Sequence, residues 1–200
     1  MVNKRKRNLT PGLPDEWFER GEVPLTKQEI RCLTLSKLRL EEGQQVLDIG
    51  AGSGGLTIEC ALLLPGGHVC AVERDAQAVK LIRANLKKFG LENVTILEGE
   101  AALVLEGRGS FDRIIVGGSG GELPFIVKKA GSLLNPRGIL VLNCILLETL
   151  SESLRLLEEN NFADLQFIQA SISRSRKMGS GMALQPLNPV FIVSAMKGDS

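Results

Sequence analysis

The amino-acid sequence predicts an α/β fold: a mostly parallel seven-stranded sheet with helices on both faces and one antiparallel strand near the C-terminus. Three observations carry this expectation. Short β-branched runs alternate with helical segments from Val46 to Asn160, a glycine turn follows the first run, and the last two strand-like stretches have no convincing helix between them. A chain of 200 residues, 44% of them hydrophobic, can bury one sizeable core and reads as a single domain.

The elements follow in order. "MVNKRKRNLT" places four basic residues at 4–7 with little to bury, so residues 1–11 read as a basic flexible tail ahead of one domain, 12–200. Prolines and glycines fill the stretch from Leu9 to Pro24, where Trp17 and Phe18 are expected to pack over the sheet. Thr26 and Glu29 then have capping-box spacing, which predicts a helix beginning at Thr26. "VLDI" (46–49), "HVCAVE" (68–73) and "NVTILEG" (93–99) are the first strands, with helices from Gly55 and from Ala76 to Phe89 between them. "FDRIIVGG" (111–118), a helix over 123–134, "GILVLN" (138–143) and a helix over 148–160 continue the rhythm. "ADLQFIQASIS" (163–173) and "NPVFIVSAMK" (188–197) read as an antiparallel pair joined by a long loop, because a parallel crossover normally needs a helix.

Composition excludes several function classes. A net charge of +1 gives no whole-chain bias toward nucleic acid or anionic membrane. No apolar run approaches the roughly 20 residues of a membrane span, and the N-terminus lacks a signal-peptide core, so a soluble cytoplasmic protein is expected. Cys32, Cys60, Cys70 and Cys144 are scattered, and the single histidine, His68, has no partner at ligand spacing, so no metal is expected.

"VLDIGAGSGGLTIE" (46–59) is a strand, a glycine turn and a helix start, which brings backbone N–H groups and no bulky side chains to a nucleotide or nucleoside. Glu73 ends the second strand, where such folds place an acid that accepts from both ribose hydroxyls. A nicotinamide dehydrogenase and an S-adenosylmethionine (SAM) methyltransferase both fit these features. Asp48 begins to separate them, because D-I-G-A-G-S-G resembles the first motif of class I SAM-dependent methyltransferases, whose Rossmann-like fold has a reversed last strand. "EGEA" (98–101) falls where those enzymes contact adenine, with Glu100 accepting from the exocyclic amine and the Ala101 N–H donating to a ring nitrogen.

"GLPDEWFERGEVPLTKQEIR" (12–31), "DIGAGSGG" (48–55), "GGSGGEL" (117–123), "LNCILLETL" (142–150) and "NPVFIV" (188–193) together resemble the decarboxylating cobalt-precorrin C15-methyltransferases of vitamin B12 (cobalamin) biosynthesis. The resemblance runs from Gly12 to Lys197. It implies SAM as cofactor, bound by Thr26, by Gly50, Ala51, Gly52, Ser53 and Gly54, and by Glu73 and Ala101. It further implies a segment, 12–40, that covers cofactor and substrate, and a homo-oligomer, a tetramer in that family. The implied partner is a cobalt-precorrin tetrapyrrole: C15 of cobalt-precorrin-6B is methylated and the C12 acetate leaves as carbon dioxide, giving cobalt-precorrin-7.

Such chemistry needs no nucleophilic side chain, since a conjugated macrocycle supplies both the attacking carbon and the electron sink, and none is identified. The substrate's carboxylates need anion sites. Gly117, Gly118, Ser119, Gly120 and Gly121 lead into a predicted helix and could present a nest of N–H groups; Arg174, Arg176 and Lys177 could supply a second site. The competing readings are a class I methyltransferase acting on RNA or protein and a non-catalytic SAM-binding module. Against an amino-group methyltransferase acting on bases, "GGSG" stands where an N-P-P-Y-like motif would be expected.

Overall fold

Residues 10–199 are described by the structure, a computed structural model. The basic run at 4–7 lies outside the described residues.

The chain forms α1 (Gln28–Leu38), β1 (Gln45–Ile49), α2 (Gly55–Leu63), β2 (His68–Glu73), α3 (Ala76–Phe89), β3 (Val94–Glu98), α4 (Ala101–Val104), β4 (Phe111–Val116), α5 (Leu123–Leu133), β5 (Leu134–Cys144), α6 (Leu147–Glu159), β6 (Phe162–Ala170), β7 (Ser173–Met178), β8 (Gly181–Pro186) and β9 (Val190–Lys197). Seven strands make one sheet in the order β3-β2-β1-β4-β5-β9-β6. The first five are parallel, and β9 runs antiparallel to both β5 and β6. The expected sheet is therefore present, including its one reversed strand.

Period-2 alternation sorts the strands onto two faces. Leu47, Ile49, Val72, Ile114, Val116, Leu140 and Leu142 pack with α4, α5 and α6, while Val46, Val69, Ile115, Ile139 and Val141 pack with α1 and α2. Burial on both faces explains why the central strands read as continuous apolar runs.

Two local expectations fail. The long loop before β9 is an antiparallel hairpin, β7 with β8, outside the main sheet. Its strands are exposed on both faces, so "SRSRKM" and "GMALQP" show no alternation from which to read them. Nor does Thr26 cap α1: the N-cap is Lys27, with no side-chain cap bond, and the Glu29 carboxylate is held by Arg174 instead. A tertiary ion pair has displaced the local motif.

The segment before α1 is fixed by Arg31, whose side chain is wholly buried. Its Nε donates to Glu59 Oε1 at 2.6 Å and its Nη1 to Asp15 Oδ1 at 2.8 Å, with further donation to the carbonyls of Thr26 and Leu13. Glu59 also accepts from the N–H groups of Gly12 and Leu13. Burial would push the Asp15 carboxyl up, but hydrogen bonds and charge from Arg31 and Arg174 outweigh it and hold Asp15 below its ordinary range. Phe18 is buried beneath the Arg31 guanidinium, 4.6 Å from its ring centroid, and packs on Phe89; Trp17 is half-exposed. Asn85 bridges the segment to the sheet's loops, accepting from Glu19 N–H at 2.7 Å and donating to the Ser53 carbonyl at 3.2 Å.

Removing the guanidinium leaves Glu59 buried without its cation. Arg31→Met is expected to lower unfolding free energy by about 3 kcal/mol in urea titration, and a loss below about 1 kcal/mol would contradict this account.

Candidate functional site

The strand order reverses between β1 and β4, and the loops that follow these strands meet there. In α/β sheets this is where ligands bind. The loop after β1 is held from below: the N–H groups of Gly50 and Ala51 donate to the Val72 carbonyl at 3.0 and 3.1 Å, and Gly52 N–H donates to Glu73 Oε2 at 2.7 Å. Gly54, in the left-handed region at φ 83°, is the N-cap of α2.

Gly50 is required twice over. Its φ is +68°, and a Cβ on it would overlap the carbonyl oxygen of Gly118 in the loop after β4. The contact is reciprocal, since a Cβ on Gly117 would come within 2.9 Å of the Gly50 carbonyl oxygen. Bare backbone at the end of β4 thus serves first to let two loops touch.

Two cavities open on either side of this contact, and Gly50 lines both. The smaller, about 190 Å³, brings together Glu73, Glu100 and Ala101 with Gly118, Ser119 and Gly120. The larger, about 560 Å³, joins Thr26 to Ala51, Gly52 and Ser53, beside Asp48, Gly117 and Asn143. Gly54 and Gly121 line neither. Apolar walls on the larger cavity come from Leu25, Ile30, Ile145, Ile172, Leu187 and Val190. Its volume is within the range of small-molecule sites.

Glu73 already has work to do: Oε2 holds Gly52, and Oε1 accepts from the N–H groups of Arg74 and Asp75 at 2.8 and 2.9 Å. Each oxygen offers more than one acceptor site, so Glu73 retains accepting capacity beyond these bonds. Glu100 is the N-cap of α4, its side chain exposed, and Ala101 is buried at the helix start.

The structure places the residues expected to hold substrate carboxylates in two separate regions. Gly118, Ser119 and Gly120 face the smaller cavity, together with Glu73, Glu100 and Glu122. Three carboxylates thus share this cavity with the glycine stretch. Arg174 is spent: its Nε and Nη2 fork onto Glu29, and Nη1 donates to Asp15 Oδ2 at 2.9 Å. The Glu29 bond, ahead of the smaller cost of burial, raises the Arg174 pKa further still. Arg176 is exposed on the same face of β7 as Arg174, and Lys177 points to the other face, so the three do not converge.

Asp48 matters more than its loop role suggested. It is 1% exposed, its Oδ2 accepts from Thr57 at 2.6 Å, and its Oδ1 has no partner while the residue lines the larger cavity. Burial pushes its carboxyl up to about 6, the Thr57 bond opposes, and the nearby Glu73 charge adds to the rise. Asn143 and Lys27 also line this cavity and were not foreseen. A strand-end asparagine and a lysine next to a helix start carry no local signal.

A glycine loop under a strand-end acid, set at the switch point of a 3-2-1-4-5-9-6 sheet whose β9 is reversed, defines a Rossmann-like methyltransferase fold. Comparison with known proteins narrows the class. Residues 16–197 match the family described as "Precorrin methyltransferase domain", and the chain belongs to that family. The probable cobalt-precorrin-6B C(15)-methyltransferase (decarboxylating) of Saccharolobus solfataricus is 40% identical over 94% of this chain and 97% of its own length. The protein of that activity from Salmonella typhimurium is 38% identical, again over 94% and 97%. Among solved structures, a precorrin-6y C5,15-methyltransferase from Geobacter metallireducens superposes with a TM-score of 0.88 at 36% identity, covering 94% of this chain and 97% of that one.

Two expectations follow from the geometry. Gly50→Ala should abolish ligand binding by driving the two loops apart, whereas Gly118→Ala, whose Cβ meets nothing within 4 Å, should bind within about twofold of wild type in calorimetry. Asp48→Asn should stabilise the ligand-free protein. An unfolded carboxyl ionises near 3.8 and this one near 6, so stability falls as pH rises through that window. The variant's gain in urea unfolding is expected to be about 3 kcal/mol at pH 8, about half that at pH 5, and absent below both values.

Proposed function

We propose that this chain methylates C15 of cobalt-precorrin-6B and removes the C12 acetate as carbon dioxide, with SAM as methyl donor, yielding cobalt-precorrin-7. What carries the reading is end-to-end likeness at about 40% identity to a relative bearing that activity in its name, with the site cavities lying inside the matched span. Action in the cytoplasm as a homo-tetramer belongs to the same proposal.

The residues present fit SAM. The unpartnered buried Oδ1 of Asp48 suits a cationic, donor-bearing group, and the glycine loop leaves backbone-lined space that a side chain would fill. Glu73 accepts from the ribose hydroxyls, Ala101 N–H and Glu100 address adenine, and Gly52, Ser53 and Thr26 line the path on the far side of Gly50. When bound, SAM supplies an electrophilic methyl on a positively charged sulfur.

The protein's part is placement. The larger cavity offers apolar walls to a flat conjugated ring, Lys27 at its mouth offers a cation to a side-chain carboxylate, and Ile145 extends the wall where β5 ends. Holding reactants in line supplies several kcal/mol of the barrier without an acid or base. The electron pair left by carbon dioxide passes into the macrocycle's own conjugated system, so one methyl is gained and one carboxyl lost with no outside oxidant.

Incubation with SAM and cobalt-precorrin-6B should yield a product whose mass shows one added methyl and one lost carbon dioxide; an unaltered substrate would refute the proposal. Glu73→Ala is expected to weaken SAM binding in calorimetry by about 1–3 kcal/mol, through lost ribose bonds and a freed Gly52.

A further inference from the structure

Asn143 stands near the end of β5, and its amide meets Thr34 of α1. Thr34 Oγ1 lies 2.8 Å from the Ile30 carbonyl oxygen and 3.1 Å from the Asn143 amide atom placed as Oδ1. A hydroxyl has one proton and cannot donate to both. The shorter contact, to the helix carbonyl, takes it. Exchanging the amide oxygen and nitrogen of Asn143, which leaves the side chain's shape unchanged, lets Nδ2–H donate to the Thr34 oxygen and gives each contact a proton. The buried amide atom left without a partner is then the carbonyl oxygen, where the nitrogen was placed.

Two residues that line the larger cavity consequently carry a buried, unpartnered acceptor, Asp48 at Oδ1 and Asn143 at its carbonyl, and among the described residues no buried side-chain donor is left unpartnered. They address different parts of a ligand. Asp48 is level with Ile115 and Val141, so Asn143 is two strands across and two residues further toward the open end, about 10 Å sideways and 7 Å along. A substrate carboxylate is disfavoured beside such an acceptor; polarised C–H groups next to a cation are suited to it.

We propose that Asn143 contacts the cofactor, directing its amide carbonyl at the sulfonium methyl, with Thr34 as its positioning residue, so that the cavity prefers the cationic donor over its neutral thioether product. This rests on the SAM reading above. Thr34 fixes the amide's orientation and takes part through it.

Calorimetry with SAM and with S-adenosylhomocysteine on wild type, Asn143→Leu and Thr34→Val tests the assignment. Each variant is expected to lose about two- to fivefold in SAM affinity while affinity for the thioether is unchanged, which also reports an intact fold. Equal loss for both ligands, or unchanged SAM affinity, overturns it. Wild type binding neither ligand would instead remove the SAM reading on which it stands.

Discussion

Burial of one arginine organises this molecule. Arg31 lies under the N-terminal segment and reaches Asp15, Glu59 and the carbonyls of Leu13 and Thr26, so a stretch with one short 3-10 turn and no long helix or strand of its own is fixed against α1 and α2. Asp15 passes the connection on to Arg174 and hence to β7. A single charged cluster therefore sets how the segment before α1 and the strands after β6 sit around the larger cavity. Its worth lies less in net stability than in the cost of leaving any member unpaired.

Within that frame the site shows opposing demands. Burial pushes the Asp48 carboxyl up to about 6, and the same burial leaves one of its oxygens without a hydrogen-bond partner. Stability given up at this carboxylate is recovered when a ligand supplies the missing donor. Glu73 shows the gentler version, since its existing bonds to Gly52, Arg74 and Asp75 pre-arrange the loop before anything binds.

The fold was legible because the parallel strands are buried on both faces and punctuated by glycine turns, and because no helix lies between β6 and β9. The first glycine loop, Glu73, Glu100 and Ala101 could be placed together since they all sit where neighbouring strands end. What escaped was tertiary. Arg31 reads in sequence as one more charged helix residue, the Thr26–Glu29 capping pattern was overruled by Arg174, and β7 and β8 carry no burial pattern to read. Asn143 could be recognised only once a hydroxyl proton was counted in three dimensions.

Gly50 and Gly118 touch backbone to backbone across the switch point. A side chain gained at position 50 is admissible only after the backbone at 118 has moved, and that move displaces the residues shaping the smaller cavity. The two loops thus constrain each other sterically, and a side chain gained in one requires a compensating shift in the other. Loop grafting between relatives should transfer them together.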